Sequence, residues 1–438
     1  MRLKIGMISF LPFMTSYDPP GTNEGTLDPL GLYQIADQLA IQLVPAVRER
    51  MQRIRFFTAM VVGSLAAEGL EHDPQQRDVS PYLVWEWLVV EAIIRKLGDH
   101  PLIWGVPGTL VVRRALSQHG YLDARSYLKT PRIFGFHGVY KRLAVHLGLV
   151  DVHLAPGPNA SGLADAWARG LGLAGLAGAK TLLSKWSAAI RRSLDEKPAR
   201  TRPGWNDESW SELAEAFAPH ASKSRERRFI RDLLHGTDER RLGALPTIWK
   251  LQREFNDDAF REEALHDRLQ EEDRSLQPLL EAIRAYESFA RSLHDAFDVL
   301  KSEATRFDTQ GFDVTQIARD EDFKLSVQGL HMRFEAAHRA LGEASVMNAS
   351  LQNLFDRRFG GFAEPMDAGE CARRICIRHE AVQRAKSADG KRRWFDGIGT
   401  DRIYVRHQYR EERRDIMPGC YVHDYRGWPI RRFYGDLS

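Results

Sequence analysis

Four arginines, Arg48, Arg50, Arg53 and Arg55, fall within the stretch PAVRERMQRIRFF. Guanidinium groups offer a fork of N–H donors that suits phosphate oxygens, so a group of them supplies affinity for a polyanion without reading its sequence. The same side chains are also candidates for pairing with Glu49 and other nearby acids. A second basic face comes from FHGVYKRLAVHLG: placing Tyr140, Leu143, Ala144 and Leu147 inward turns Lys141, Arg142 and His146 outward. A third comes from DGKRRWFDG, where Lys391, Arg392 and Arg393 adjoin Trp394. Cations beside an aromatic ring can hold a nucleic-acid backbone while the ring stacks on a base, and a Trp buried beneath a solvated loop leaves the same sequence trace.

The charge distribution points the same way. The net charge is only +3, but residues 101–200 carry 14 Lys and Arg against 5 Asp and Glu, and residues 351–438 carry 18 against 13. Residues 1–100 carry 9 against 12 and residues 201–350 carry 21 against 29, so two basic segments alternate with acidic ones. Such asymmetry is expected when part of a chain meets a polyanion.

Catalytic signatures are weaker. GLGLAG, with Gly170, Gly172 and Gly175, has the spacing of a dinucleotide-binding loop, but the preceding SGLADAWAR reads as helix where that chemistry needs a strand. A helix-ending, close-packed glycine cluster is the better reading, and no cofactor is expected. Cys371 and Cys376, with Cys420 and His423, resemble a zinc set, yet the first pair lies in a predicted helix that turns its side chains apart. Asp313 with DEDFK (Asp320 to Lys324) has the residue types of a metal-dependent nuclease, but lies between predicted helices, where a polar helix cap is the simpler reading.

The elements that must position these residues are mostly helical. RLKIGMISF alternates apolar and polar residues as one short strand. LGLYQIADQLAIQL then places Tyr33, Ala36, Leu39, Ala40 and Leu43 on one helix face. A second helix is expected from Val47 through Val61, and a third in SPYLVWEWLVVEAIIRKLG, with Ser80 as N-cap, Pro81 at its first position and Gly98 as its stop. Between Leu147 and Leu163 a helix stop, a tight hairpin-like turn and another helix follow in the order of a winged-helix element. The Pro- and Gly-marked stretch 195–206 suggests a boundary. Beyond it come short amphipathic pieces, then a long helix over LQPLLEAIRAYESFARSLHDAFDVLKSEA, and another running through LSVQGLHMRFEAAHRALGEA. The expected fold is mainly α: an N-terminal helical domain with a short strand and a winged-helix-like element (1–195), a helical bundle (206–350), and a basic, aromatic C-terminal segment (351–438).

Three cysteines cannot staple a chain of 438 residues, and MRLKIGMISFLPFM lacks the features of a signal peptide, so a cytoplasmic location is expected. No run approaches the roughly 18–20 apolar residues that a membrane helix needs, so no membrane partner is expected.

The block GTLDPLGLYQIADQLAIQLVPAVRERMQRIRFF, residues 25–57, resembles the N-terminal signature of an uncharacterised bacterial family found in phage-defence islands near helicase and phospholipase-D-like genes. The resemblance brings no catalytic residues, and AVRERM stands where that family has a Thr-Ser-rich stretch. It implies a phage-defence setting, and with the basic segments the expected function is a non-catalytic DNA-binding or DNA-sensing subunit of a bacterial anti-phage defence complex that works with a separate helicase or nuclease. With that context the DNA phosphate backbone is the expected partner of Arg48, Arg50, Arg53, Arg55, Lys141, Arg142 and His146, with Lys391, Arg392, Arg393 and Trp394 as a second site. The alternatives are a metal-dependent nuclease or nucleotide-processing enzyme using Asp313 or Asp322, and a protein-only scaffold.

Overall fold

The segment Pro81–Leu97 is apolar on every side, and a helix of that kind must be buried all round. In the computed structural model it is. Ser80 Oγ accepts from Leu83 N at 3.2 Å, Pro81 occupies the first turn, and Gly98 ends the helix with φ +52°. The structure describes residues 28–70, 79–98, 100–128, 131, 135–236, 242–255, 260–307, 310–344, 349–385, 393–400, 402–412 and 419–437. The fold is mainly α, with eighteen helices and a three-stranded sheet among the described residues. The strand expected in RLKIGMISF lies outside them.

The helices are α1 (Tyr33–Leu43), α2 (Arg55–Ala67), α3 (Pro81–Leu97), α4 (Thr109–His119), α5 (Phe136–His146), α6 (Ala160–Gly170), α7 (Gly175–Gly178), α8 (Lys180–Asp195) and α9 (Asp207–Phe217). They continue with α10 (Ser224–Gly236), α11 (Leu245–Leu251), α12 (Glu262–Glu272), α13 (Gln277–Arg306), α14 (Glu321–Val327), α15 (Leu330–Glu343), α16 (Ala349–Phe359), α17 (Ala368–Ala385) and α18 (Gly427–Leu437). The chain forms two units. The larger takes residues 35–287, 337–354 and 420–438; the smaller takes residues 1–34, 288–336 and 355–419.

In the larger unit α2 and α3 form the centre. Gly63 permits their close approach: a Cβ there would sit 2.1 Å from the Trp85 ring, whose Nε1 donates to Ala59 O at 2.8 Å. Trp85, Trp167, Trp186 and Phe217 pack around that contact with ring centroids 5.4–5.9 Å apart. The stretch 195–206 belongs to this unit, with Ala199 and Thr201 buried. Thr201 Oγ1 donates to the buried Glu91 carboxylate.

In the smaller unit Phe289, Phe334, Phe355 and Phe359 form one aromatic cluster. The sheet has the order β1 (Phe312–Asp313), β3 (Arg402–Val405), β2 (Phe395–Asp396), both pairings antiparallel, with Phe312 opposite Ile403 and Phe395 opposite Val405. Asp313 thus lies on a short strand, against the expectation of a strandless connection. The single helix expected through LSVQGLHMRFEAAHRALGEA is two, because Gly329 adopts φ +68° between α14 and α15.

Candidate nucleic-acid interface

The helix expected to carry all four N-terminal arginines begins only at Arg55. Residues 44–54 are irregular, and at 52–54 the backbone donors find side chains from elsewhere: Tyr140 Oη accepts from Gln52 N and Arg53 N, each at 3.2 Å, and Asp436 Oδ2 accepts from Ile54 N at 2.8 Å. Val47, Met51 and Ile54 still face inward and are fully buried. The apolar spacing is a sound guide to burial here, while the competing hydrogen bonds decide the backbone.

The arginines separate accordingly. Arg55, expected at a phosphate, is 1% exposed: its Nη1 lies 3.1 Å from Glu226 Oε2, and Nη2 donates to Ala221 O. Burial pushes its pKa down in spite of the opposing Glu226 charge, and the same burial pushes Glu226 up in spite of Arg55. Arg53 is half-buried, and its Nη1 is 2.9 Å from Asp436 Oδ1. Arg50 is exposed.

Arg48 and Arg142 are brought together. Loss of solvent lowers the Arg142 pKa first, and the positive charge of Arg48 lowers it next, with Asp37 acting in opposition. Arg142 Nη1 donates to Pro45 O at 3.0 Å, and no carboxylate among the described residues pairs with Arg48 or Arg142. Arg426, also a neighbour of Arg142, is fully buried at φ +80°, in the left-handed region, and its Nη2 is bound to Asp37.

Trp104, which no sequence pattern singles out, gathers two further arginines. It follows a short 3-10 turn at Pro101–Ile103 and is 48% exposed. The guanidinium carbons of Arg53 and Arg432 lie 5.6 and 4.8 Å from its ring centroid. Gly105, at φ +93°, leaves room for the Arg53 side chain, whose Cγ is 3.1 Å from where a Cβ would be. Arg432 is exposed on α18 and no carboxylate among the described residues pairs with it. Arginines beside an exposed indole combine phosphate affinity with a stacking platform. An isolated Trp between short apolar pieces gives no periodic signal, and Arg432 is more than 300 residues away in sequence.

Helix α5 is held at its start by a carboxylate from α3. Glu86 Oε1 accepts from Phe136 N at 3.0 Å and Tyr127 Oη at 2.8 Å, and Oε2 is 2.9 Å from His137 Nδ1. A carboxylate at a helix N-terminus satisfies free donors and opposes the positive dipole end. On this helix Lys141 Nζ donates to Val152 O at 2.5 Å, while Lys141 and His146 are half-buried. The link to α6 is a tight turn with one antiparallel bridge, Val150 to Pro156, closed by Gly157 N to Leu149 O at 3.1 Å. The hairpin-like turn is present, but no strand longer than this bridge forms between α5 and α6 among the described residues. Gly175 supports packing: a Cβ would sit 2.1 Å from Asp165 Oδ1, which accepts from Leu176 N at 2.9 Å.

The C-terminal cluster is arranged differently. Lys391 and Arg392 lie outside the described residues. Arg393 Nη1 is 2.7 Å from Glu380 Oε1, and its Nε is 3.6 Å from Asp396. Trp394 stacks on Tyr409 with centroids 4.9 Å apart and an 11° interplanar angle, and Lys301 Nζ lies 5.4 Å from its centroid. A base cannot occupy the Tyr409-covered face without displacing that ring, and the Arg393 charge is already opposed by carboxylates.

Asp320 Oδ1 accepts from Phe323 N at 3.0 Å and caps α14, as read from the sequence, and Asp313 Oδ1 accepts from Thr315 N at 2.9 Å. No group of three or more His, Cys, Asp or Glu side chains converges as metal ligands among the described residues. Cys371 and Cys376 are buried in α17, where burial pushes each thiol up to about 12, and Cys420 and His423 belong to the other unit. Two further buried clusters carry chemistry-bearing groups. Glu287 Oε1 accepts from Tyr425 Oη at 2.7 Å and lies 2.7 Å from His423 Nδ1. Glu262 accepts from Gly427 N at 2.8 Å, and its pKa is raised well above the usual range by burial and then by Asp424; burial lowers neighbouring His266 to about 3.

No helix among the described residues is long and apolar enough to cross a membrane. No protein family, no curated protein and no solved structure matches the chain.

Proposed function

We propose that the larger unit binds DNA through its phosphate backbone, along the surface carrying Arg48, Arg50, Arg53, Trp104, Arg142 and Arg432. The observation that carries the reading is the half-exposed Trp104 ring flanked by Arg53 and Arg432. Arg48, Arg142 and Arg432, with no carboxylate partner among the described residues, supply positive charge that a phosphate can neutralise. With the exposed Arg432 turned from the Trp104 ring onto a phosphate, the indole is the stacking element for an unpaired base, which favours DNA with single-stranded character over a fully paired duplex. Arg55 is a structural residue in this reading, and α5 with its hairpin-like turn and α6 serves as scaffold for Arg142 in place of a winged-helix reader.

The role is that of a non-catalytic DNA-binding or DNA-sensing subunit of an anti-phage defence complex, with a separate helicase or nuclease supplying the chemistry. The test is fluorescence anisotropy with labelled single-stranded and duplex DNA across a salt series. Binding at low salt that weakens linearly in log–log form as salt rises is expected, with the single strand preferred. Absence of binding to either form at low salt overturns the proposal.

A further inference from the structure

Helices α10, α11 and α18 of the larger unit surround a cavity of about 460 Å³, within the size range of small-molecule sites. Its lining among the described residues includes Arg231, His235, Trp249, Lys250, Arg253 and Tyr434, and no carboxylate. Arg231 Nη2 donates to Leu437 O, and Arg253 Nε donates to Tyr434 Oη at 2.9 Å. Those bonds orient both guanidinium groups without neutralising them, since neither pairs with a carboxylate among the described residues. Lys250 is 2.8 Å from Glu272 in an exposed pair that a stronger anion can displace. Trp249 meets Tyr434 edge-on at 4.8 Å and Phe433 at 6.0 Å, which fixes its ring at the wall.

Two oriented arginines, a lysine and a histidine, beside a fixed indole and a phenol, call for a ligand with an anionic end and a planar end. We infer that this cavity binds a nucleoside monophosphate group, its phosphate held by Arg231, Arg253 and Lys250 and its base lying against Trp249 and Tyr434. The guanidinium fork matches phosphate oxygens, and the rings offer a face that any base can use. The group can arrive as a free nucleotide or as the phosphorylated end of a strand. The inference stands apart from the DNA-binding surface, because no residue is shared: Arg432 of α18 faces Trp104, while Tyr434 and Leu437 line the cavity.

The test is isothermal titration of the full chain with AMP, adenosine, inorganic phosphate, and a short oligonucleotide with either a 5′-phosphate or a 5′-hydroxyl. AMP is expected to bind at least about tenfold more tightly than adenosine or phosphate alone, and Arg253→Glu and Arg231→Ala each to weaken it by about tenfold or more. Arg253 is exposed, so its substitution leaves the core intact, and circular dichroism checks that. A 5′-phosphorylated oligonucleotide binding more tightly than AMP and than its 5′-hydroxyl form identifies a strand end as the source; AMP binding more tightly identifies a free nucleotide. The double variant Trp104→Ala, Arg432→Ala is expected to retain AMP binding while losing DNA affinity, so failure at one site is distinguishable from failure at the other. No AMP or 5′-phosphate binding at millimolar concentration, or binding unchanged by Arg253→Glu and Arg231→Ala, refutes the inference.

Discussion

Replacing Arg55 with methionine removes a charge from a place where water does not reach. Arg55 and Glu226 are 1% and 0% exposed in their side chains, and Glu226 also accepts from Thr58 Oγ1 at 2.6 Å and Lys223 N at 3.3 Å. Burial outweighs the partner's charge in both pKa shifts, so the pair contributes little net stability, but either member alone is a buried charge without its counter-ion. Breaking such a pair costs about 3–5 kcal/mol, and Arg55→Met is expected to destabilise the larger unit by that amount in urea unfolding followed by tryptophan fluorescence. The double variant Arg55→Met, Glu226→Gln should recover a large part, because no charge then remains buried. Without Arg55 the folded Glu226 pKa rises further above its unfolded value, so the folded chain holds an extra proton above about pH 4.5. The deficit is therefore greatest at neutral pH and shrinks in acid. A wild-type unfolding midpoint for Arg55→Met, together with a fall in DNA affinity, would show that the guanidinium faces solvent, and the reasoning from burial would be wrong.

Glu86→Ala leaves Tyr127 Oη and Phe136 N without their acceptor; a loss of roughly 2–4 kcal/mol and faster hydrogen exchange in the first turn of α5 are expected, and unchanged exchange there contradicts the capping role. Gly63→Ala drives a methyl into the Trp85 ring, and a loss of about 1–3 kcal/mol or more by thermal unfolding is expected; a neutral result means that α2 and α3 can move apart freely. His266, with a folded pKa of about 3 and an unfolded value near 6.5, contributes stability that is complete above pH 6.5 and lost as pH falls toward 3. Glu262 acts in the opposite sense, its raised pKa weakening the fold as pH rises above about 4.5. Urea midpoints of His266→Phe should therefore fall less steeply than those of the wild type between pH 6 and pH 4, and parallel curves count against a buried neutral imidazole.

Much of the helical framework is legible in the sequence because it is built from local signals. Ser80, Pro81 and Gly98 bound α3 as their types dictate, and of the stripe spaced for burial along α13, Leu279, Ile283, Tyr286, Phe289, Leu293 and Phe297, all but the half-buried Leu279 are buried. Position 33 departs from its expected face, since Tyr33 is 39% exposed, while Ala36, Leu39, Ala40 and Leu43 are buried. Expectations fail where distant groups intervene. Tyr140 and Asp436 hold residues 52–54 out of a helix, and nothing near those residues announces either partner. Gly329 sits within a continuous helical pattern, yet its left-handed conformation divides α14 from α15.

The candidate surface is legible only in part for the same reason. Residue type and local density mark Arg48 and Arg142, but the sequence does not tell that Arg55 meets Glu226 across 171 positions, or that Arg53 and Arg432 share one indole. The Lys391–Trp394 stretch has the right composition, yet Tyr409, Glu380 and Asp396 engage the described part of it.

The salt dependence of single-stranded DNA binding by the wild type and by Arg48→Ala, Arg142→Ala, Arg432→Ala combined bears most directly on the proposed surface. Each lost phosphate contact should reduce the slope of log K against log salt by about 0.7 for a single strand, so the triple variant should lose about 2 from the wild-type slope together with most of its low-salt affinity. An identical slope and affinity in the two proteins would place DNA binding elsewhere and contradict the assignment.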